Sequence, residues 1–220
     1  MSKSFDALLF PKERQRRGPS PGQFPEHQSY KPYLQRQFRR KCVYCRVSDG
    51  LKGYESFGVD HYLPKSKFPH LALAWRNLFY ACNVCNTWKG EAVSTPELFL
   101  PNPCDHRMTD HLQYQDAGIE TYTRHGEWLS ELLHLHERKS LREFILSALG
   151  GFLAARNELL RDLITYEARL AEAPAGEESD SVQTAIRETI QDLERVDRHI
   201  ELLTGEATPV NFSAYSGRSK

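Results

Sequence analysis

Two C-x-x-C pairs, Cys42 and Cys45 in "KCVYC" and Cys82 and Cys85 in "ACNVC", are separated by thirty-six residues. Each pair has the spacing of a zinc knuckle, and four thiolates complete the tetrahedral shell that zinc prefers. Such a site leaves no coordination position open, so the pattern predicts a structural Zn2+ that stabilises the fold and takes no part in a reaction. A second set of chemically capable residues lies between and just after the pairs. Asp60 and His61 stand side by side in the short β-prone run "GVDHYLP", and Asn77 and Asn86 follow His61 at offsets of sixteen and twenty-five. Asn86 comes directly after Cys85, so the second knuckle sets where the next helix begins and thereby the direction in which Asn86 points.

Read together, "VDHYLP", "WRNLFYAC" and "CNVCNTWKG" resemble the three motifs of the HNH endonucleases. In that family a ββα-metal element carries an Asp-His pair on the first strand, an asparagine between the strands and a final His or Asn on the helix. The subgroup it most resembles braces the element with two C-x-x-C knuckles in the order found here. The resemblance is close over residues 42–91 and looser through "FLPNPCDHRMTDHLQY". It implies hydrolysis of DNA phosphodiester bonds, with His61 as general base and with Asp60 and Asn86 as oxygen ligands of one divalent ion, most simply Mg2+. The same resemblance implies that Asn77 bonds backbone in the inter-strand loop and fixes the orientation of His61. Lys65, Lys67 and Lys89, with Arg39 and Arg40 just before the first knuckle, are candidates for phosphate contact. Cys104 and His106 could be drawn as a further metal site, and Asp105-His106 and Asp110-His111 repeat the Asp-His dipeptide, but neither dipeptide has an asparagine at the right offset on a following helix, and these residues read as packing or capping residues. His134 and His136 read as ordinary surface histidines.

The elements that must position these residues follow from composition and periodicity. A chain of 220 residues, 40% hydrophobic, is long enough for one real core and a small second one. Its net charge of zero is unevenly spread: +7 over residues 1–41, +2 over 42–92 and −9 over 93–220. The front of the molecule therefore attracts polyanions and the back does not. Residues 1–41 read as a basic, partly disordered leader, with a short helix in "KPYLQRQFRRK". Residues 42–136 read as the zinc-knuckle nuclease domain, with "LQYQDAGIETYT" as a β-hairpin extending its small sheet. Apolar residues at helical spacing from Ser140 to about Ala173 predict one helix, which Gly150-Gly151 could bend. A second is predicted from about Ser181 to Thr204, capped by Asp180 or Ser181 and stopped by Gly205. Residues 137–205 thus form a helical hairpin, and 206–220 a flexible tail. The fold class expected is α+β: a small zinc-braced ββα-metal core, a β-hairpin and a C-terminal antiparallel helical hairpin.

No apolar run suits a signal peptide or a membrane span, so the default expectation is a cytoplasmic protein. Such a compartment is reducing, which favours zinc ligation over disulfides for the five cysteines. Two function classes compete. One is a metal-dependent DNA endonuclease; the other is a zinc-ribbon module that binds nucleic acid without cutting it. The complete set of Asp60, His61, Asn77 and Asn86 favours the first. Small HNH proteins with an added helical region resemble the nuclease halves of bacterial anti-phage systems, the Septu-type nuclease subunit among them. That resemblance implies a regulatory ATPase or other subunit docking on the C-terminal helices. The length of the helices' apolar stripes also allows a homo-oligomer.

Overall fold

A computed structural model describes residues 3–173 and 176–207 of the chain. The described residues form seven α-helices: α1 (Lys3–Asp6), α2 (Lys31–Gln37), α3 (Asp49–Lys52), α4 (Asn83–Lys89), α5 (Arg124–Leu132), α6 (Lys139–Glu172) and α7 (Glu177–Thr204). Strands β1 (Phe57–His61) and β2 (Leu78–Cys82) pair antiparallel, with Asp60 opposite Phe79 and His61 opposite Leu78. Every residue of both strands is buried, which explains their near-continuous apolar and aromatic sequences. Helix α4 follows β2 with no intervening loop, which makes a ββα element. Gly90, at φ 49°, supplies the left-handed conformation that stops α4 directly after Lys89.

Strands β3 (Leu112–Gln115) and β4 (Gly118–Thr121) form the expected hairpin, with Asp116 at φ 50° in its turn. The hairpin does not extend the first sheet, contrary to the sequence expectation; it is a separate two-stranded sheet. A physical reason lies in the first knuckle. The Val43 N–H donates to the Tyr80 carbonyl at 3.0 Å, so the knuckle already occupies that edge of β2. Helix α5 was not foreseen. Thr123 caps it by accepting from the Gly126 N–H, and a Cβ on Gly126 would lie 2.0 Å from the His111 carbonyl oxygen. Only glycine lets α5 approach the end of the hairpin this closely.

The leader is irregular from Pro11 to Glu26 yet is held by specific contacts. Arg17 donates to the carbonyls of Trp75 at 2.9 Å and Leu78 at 2.8 Å, and its guanidinium lies 4.4 Å from the Phe79 ring centre. The Trp75 indole donates to the Gly18 carbonyl, and the Gly18 N–H donates to Gln37 on α2. Leu34 of α2 and Phe38 just beyond it are buried beneath.

The chain divides into two compact units. One runs to Leu146 and includes Leu202–Glu206; the other is Ser147–Glu201. Within the second, Leu163 of α6 and Leu193 of α7 are buried at the centre, flanked by Leu159, Leu160, Ile186 and Ile190. An ion pair of 2.7 Å joins Arg156 to Asp197. Helix α6 is assigned without interruption through Gly150-Gly151. Helix α7 starts at Glu177, ahead of the expected cap at Asp180 or Ser181, because three acidic residues suit the positive end of a helix. Gly205 ends it at φ 68°. Phe144 and Ile164, two of the apolar residues of α6, are 61% and 66% exposed. None of the described helices is long and apolar enough to cross a membrane. Of the expected flexible tail, residues 208–220 lie outside the described residues.

Because two carbonyls and three aromatic rings converge on Arg17, its loss should release the leader without unfolding the zinc unit. In Arg17→Ala, amide hydrogen exchange is expected to accelerate across residues 13–20 and at Trp75–Leu78 while zinc content stays constant. Unchanged exchange in those segments would show that Arg17 does not anchor the leader.

Candidate active site and metal centre

Cys42, Cys45, Cys82 and Cys85 are fully buried, and their sulfur atoms all lie within 4.8 Å of one another. Cys45 Sγ and Cys82 Sγ are 3.8 Å apart. Zinc–sulfur bonds of about 2.3 Å at tetrahedral angles require sulfur separations of roughly 3.8 Å, so the cluster fits zinc. Hydrogen bonds from the other three cysteines hold the Cys82 thiol far below its ordinary value, whereas burial pushes Cys42 and Cys85 up. Four sulfur ligands thus converge in a dry pocket that suits a cation. Arg138 answers part of that need: burial works against its charge, but the four cysteines outweigh burial and raise its pKa. Among the described residues this is the one group of three or more His, Cys, Asp or Glu side chains placed to share a metal ion.

Asp60 sits between the two knuckles and is 2% exposed. Tyr44, which lies inside the first knuckle, donates its hydroxyl to Asp60 Oδ2 at 2.6 Å. Lys89, on the helix that the second knuckle starts, donates its ammonium to Asp60 Oδ1 at 3.0 Å and to the His61 carbonyl at 2.7 Å. Burial, then the charge of Asp60, keeps the Tyr44 phenol well above its usual range, so it remains a donor. One accepted bond per oxygen uses about half the acceptor capacity of a carboxylate. Asp60 therefore retains lone pairs for a further electrophile.

His61 directs Nε2 at the Ala72 carbonyl, 2.9 Å away. A carbonyl can only accept, so the proton resides on Nε2 and Nδ1 is left as the basic nitrogen. Burial lowers the His61 pKa, against the opposing pull of the Ala72 carbonyl and Asp60, which keeps the ring neutral at neutral pH. Asn77 ties the ends of the inter-strand loop: its side chain accepts from Leu63 N–H at 2.8 Å and donates to the carbonyls of Leu63 and Leu71. Asn86 is half-buried on α4, and its amide end lies 3.9 Å from where a Gly58 Cβ would stand. Gly58 is two residues before Asp60, so Asn86 lies beside the strand that carries the Asp-His pair.

Several candidate residues behave differently from expectation. Lys89 does not reach out to a phosphate; it is 1% exposed and closes an ion pair with Asp60. Arg40 is engaged by the buried carboxylate of Asp49 at 3.0 Å, and Arg39 lies 3.6 Å from Glu206. Lys67 donates to the Glu91 carbonyl from an exposed position, and Lys65 is exposed as well. Two contributors were not foreseen. Tyr44 is one, hidden among knuckle residues whose identity zinc does not constrain. The other is His27 of the leader, whose ring centre is 4.8 Å from that of His61. Cys104 stays outside the metal cluster, and His106 stacks on Phe99 and accepts from the Asn102 N–H, a packing and capping role.

Residues 42–92 match the HNH endonuclease family. The chain carries an HNH domain. Its two strands, short helix and knuckles are those of the matched segment. Two curated relatives are both described as Septu protein PtuB. One, from Bacillus thuringiensis, is 32% identical over 113 residues, covering 49% of this chain and 42% of the relative. The other, from Bacillus mycoides strain KBAB4, is 26% identical over 148 residues, covering 53% and 50% respectively. The matched part thus spans half or less of the length of these relatives. No solved structure gives a significant match.

Two outcomes follow for the HNH domain. Cys82→Ser should lose the metal and with it the folded state, read as zinc content by metal analysis and as loss of cooperative thermal unfolding. Lys89→Met strands a buried carboxylate and should cost about 3–5 kcal/mol in urea unfolding, while Lys89→Met combined with Asp60→Asn should recover most of that. A double-mutant cycle with no coupling would show that the Lys89–Asp60 contact does not stabilise the fold.

Proposed function

We propose that the chain is a metal-dependent endonuclease that hydrolyses DNA phosphodiester bonds. The observation that carries this reading is a neutral His61 with Nε2 bonded to the Ala72 carbonyl, leaving Nδ1 basic, within an HNH domain. His61 Nδ1 takes a proton from water, the water oxygen bonds to phosphorus, and the bond from phosphorus to the 3′ oxygen breaks, that oxygen taking a proton from a second water. The products carry a 5′ phosphate and a 3′ hydroxyl, as in the family generally. Asp60 and Asn86 would hold a divalent ion such as Mg2+, whose chemistry is to neutralise charge on the phosphate and stabilise the departing oxygen. Asn77 supports His61 indirectly, because it fixes the loop that carries Ala72. Lys89 offsets the charge of Asp60 and so limits how tightly a cation is held there.

The relatives' description as Septu protein PtuB supports a role in bacterial defence against phage. We further propose a cytoplasmic location and a regulatory ATPase or other protein subunit docking on α6 and α7. A larger assembly would also suit the apolar side chains of Phe144 and Ile164, which are exposed in this chain.

Plasmid cleavage with Mg2+ tests the chemistry, using the chain alone and with its genomic neighbours. His61→Ala should lower the rate by about 10²- to 10⁴-fold with zinc content and stability retained. Since a base works deprotonated and burial lowers the His61 pKa, the rate should rise with pH through a midpoint below the ordinary value of about 6.5 and then level off. Asn86→Ala should raise the Mg2+ concentration for half-maximal rate and leave zinc in place. If His61→Ala cuts as fast as the parent chain, the zinc-ribbon binding module becomes the better reading.

A further inference from the structure

A concavity of about 1370 Å³ opens between the leader and the inter-strand loop of the HNH domain. Leader residues Glu13 to Ser20 make one wall, and Leu71, Ala74, Trp75 and Arg76 make the other. Small-molecule pockets are usually about 300–1,000 Å³, so this groove suits a longer, extended ligand. Its lining carries four arginines, Arg14, Arg16, Arg17 and Arg76, against two carboxylates, Glu13 and Asp105. Arg17 is committed to the Trp75 and Leu78 carbonyls. The other three are exposed, and among the described residues none of them forms an ion pair; Arg14 makes one long contact, 3.4 Å, to the Asp105 carbonyl. Three uncommitted guanidinium groups along one groove form a track for successive phosphates.

We propose that this groove binds a single strand of nucleic acid and leads it to His61. The loop that forms its second wall also carries Ala72, whose carbonyl holds His61 Nε2, so a strand lying along the arginines continues past the loop that orients the base. Trp75 is half-buried in the same wall and presents aromatic surface among the guanidinium groups. Arginines on the backbone and an aromatic group for bases are how single strands are held, whereas the bases of a duplex are already stacked on one another. The proposal rests on the endonuclease reading for the nature of its ligand. None of the groove arginines lies within the segment that matches the HNH family except Arg76.

The test uses the full zinc-loaded chain carrying His61→Ala, so that binding is measured apart from cutting. Fluorescence anisotropy of a labelled 20-nucleotide single strand and of the matching duplex, without added divalent ion, gives affinity and salt dependence. Replacing Arg14, Arg16 and Arg76 together by Gln is expected to weaken single-strand binding by about tenfold or more. The slope of log K against log salt should flatten by roughly 2, since each phosphate contact contributes about 0.7. Because all three side chains are exposed, zinc content and circular dichroism should match the parent. Arg76→Glu alone should weaken binding in the same direction. Unchanged affinity and slope in the triple variant would overturn the proposal, as would duplex that binds as tightly as single strand and is equally affected. The two readings separate cleanly. His61-dependent cleavage with unaltered binding in the triple variant sinks the groove and keeps the nuclease. Arginine-dependent single-strand binding by a chain that never cleaves keeps the groove and sinks the nuclease.

Discussion

A carboxylate buried to 2% exposure cannot stay charged in a protein interior unless donors surround it, and the donors chosen for Asp60 organise the site. One is a phenol from the first knuckle and the other an ammonium from the helix that begins at the second. Each knuckle thus projects one side chain onto the same carboxylate. The cysteine cluster does more than staple two loops, because the distance between its halves sets whether Tyr44 and Lys89 can reach Asp60 together. The ammonium also grips the His61 carbonyl, so the backbone that bears the histidine is fixed from the same point.

Around that centre the structure separates rigid from adaptable support. Strands β1 and β2 are buried throughout and hold Asp60 and His61 on the backbone ladder. The loop between them holds only two short 3-10 turns, Pro69–Leu71 and Trp75–Asn77, yet its ends are closed by the Asn77 side chain and its far wall is pinned by Arg17. His61 draws its ring orientation from that loop through Ala72. The leader is therefore part of the environment of the histidine, and the His27 ring beside it makes the same point from the other side.

The four-cysteine pattern and the likeness of residues 42–92 to the HNH family were legible because their information is local: knuckle spacing is a property of the chain, and the matched motifs lie within one short segment. The strands around Asp60 and Cys82, the hairpin at Asp116 and the stop at Gly205 were legible for the same reason. Lys89 was not, since a lysine on a helix reads as solvated until the fold shows a carboxylate twenty-nine positions earlier at 3.0 Å. Tyr44 escaped notice because zinc leaves the residues inside a knuckle free. Helix α5 has few apolar residues and depends on the Thr123 cap and the close approach at Gly126, neither of which shows as periodicity. The ordered course of the leader depends on Arg17, Gly18 and Gln37 meeting partners far along the chain, which composition cannot register.

The position of Tyr44 between two zinc ligands has a consequence for the life of the molecule in a cell. A freshly made chain that has not captured zinc has no closed first knuckle to present the phenol, and no fixed start for the helix that presents Lys89. Its aspartate and histidine are then merely neighbours in sequence. Metal capture becomes a maturation step: the geometry around Asp60 and His61 is completed only when the four cysteines close on an ion. A copy that has lost its metal loses with it the common support of Asp60 and His61, so one event decides the state of the whole centre.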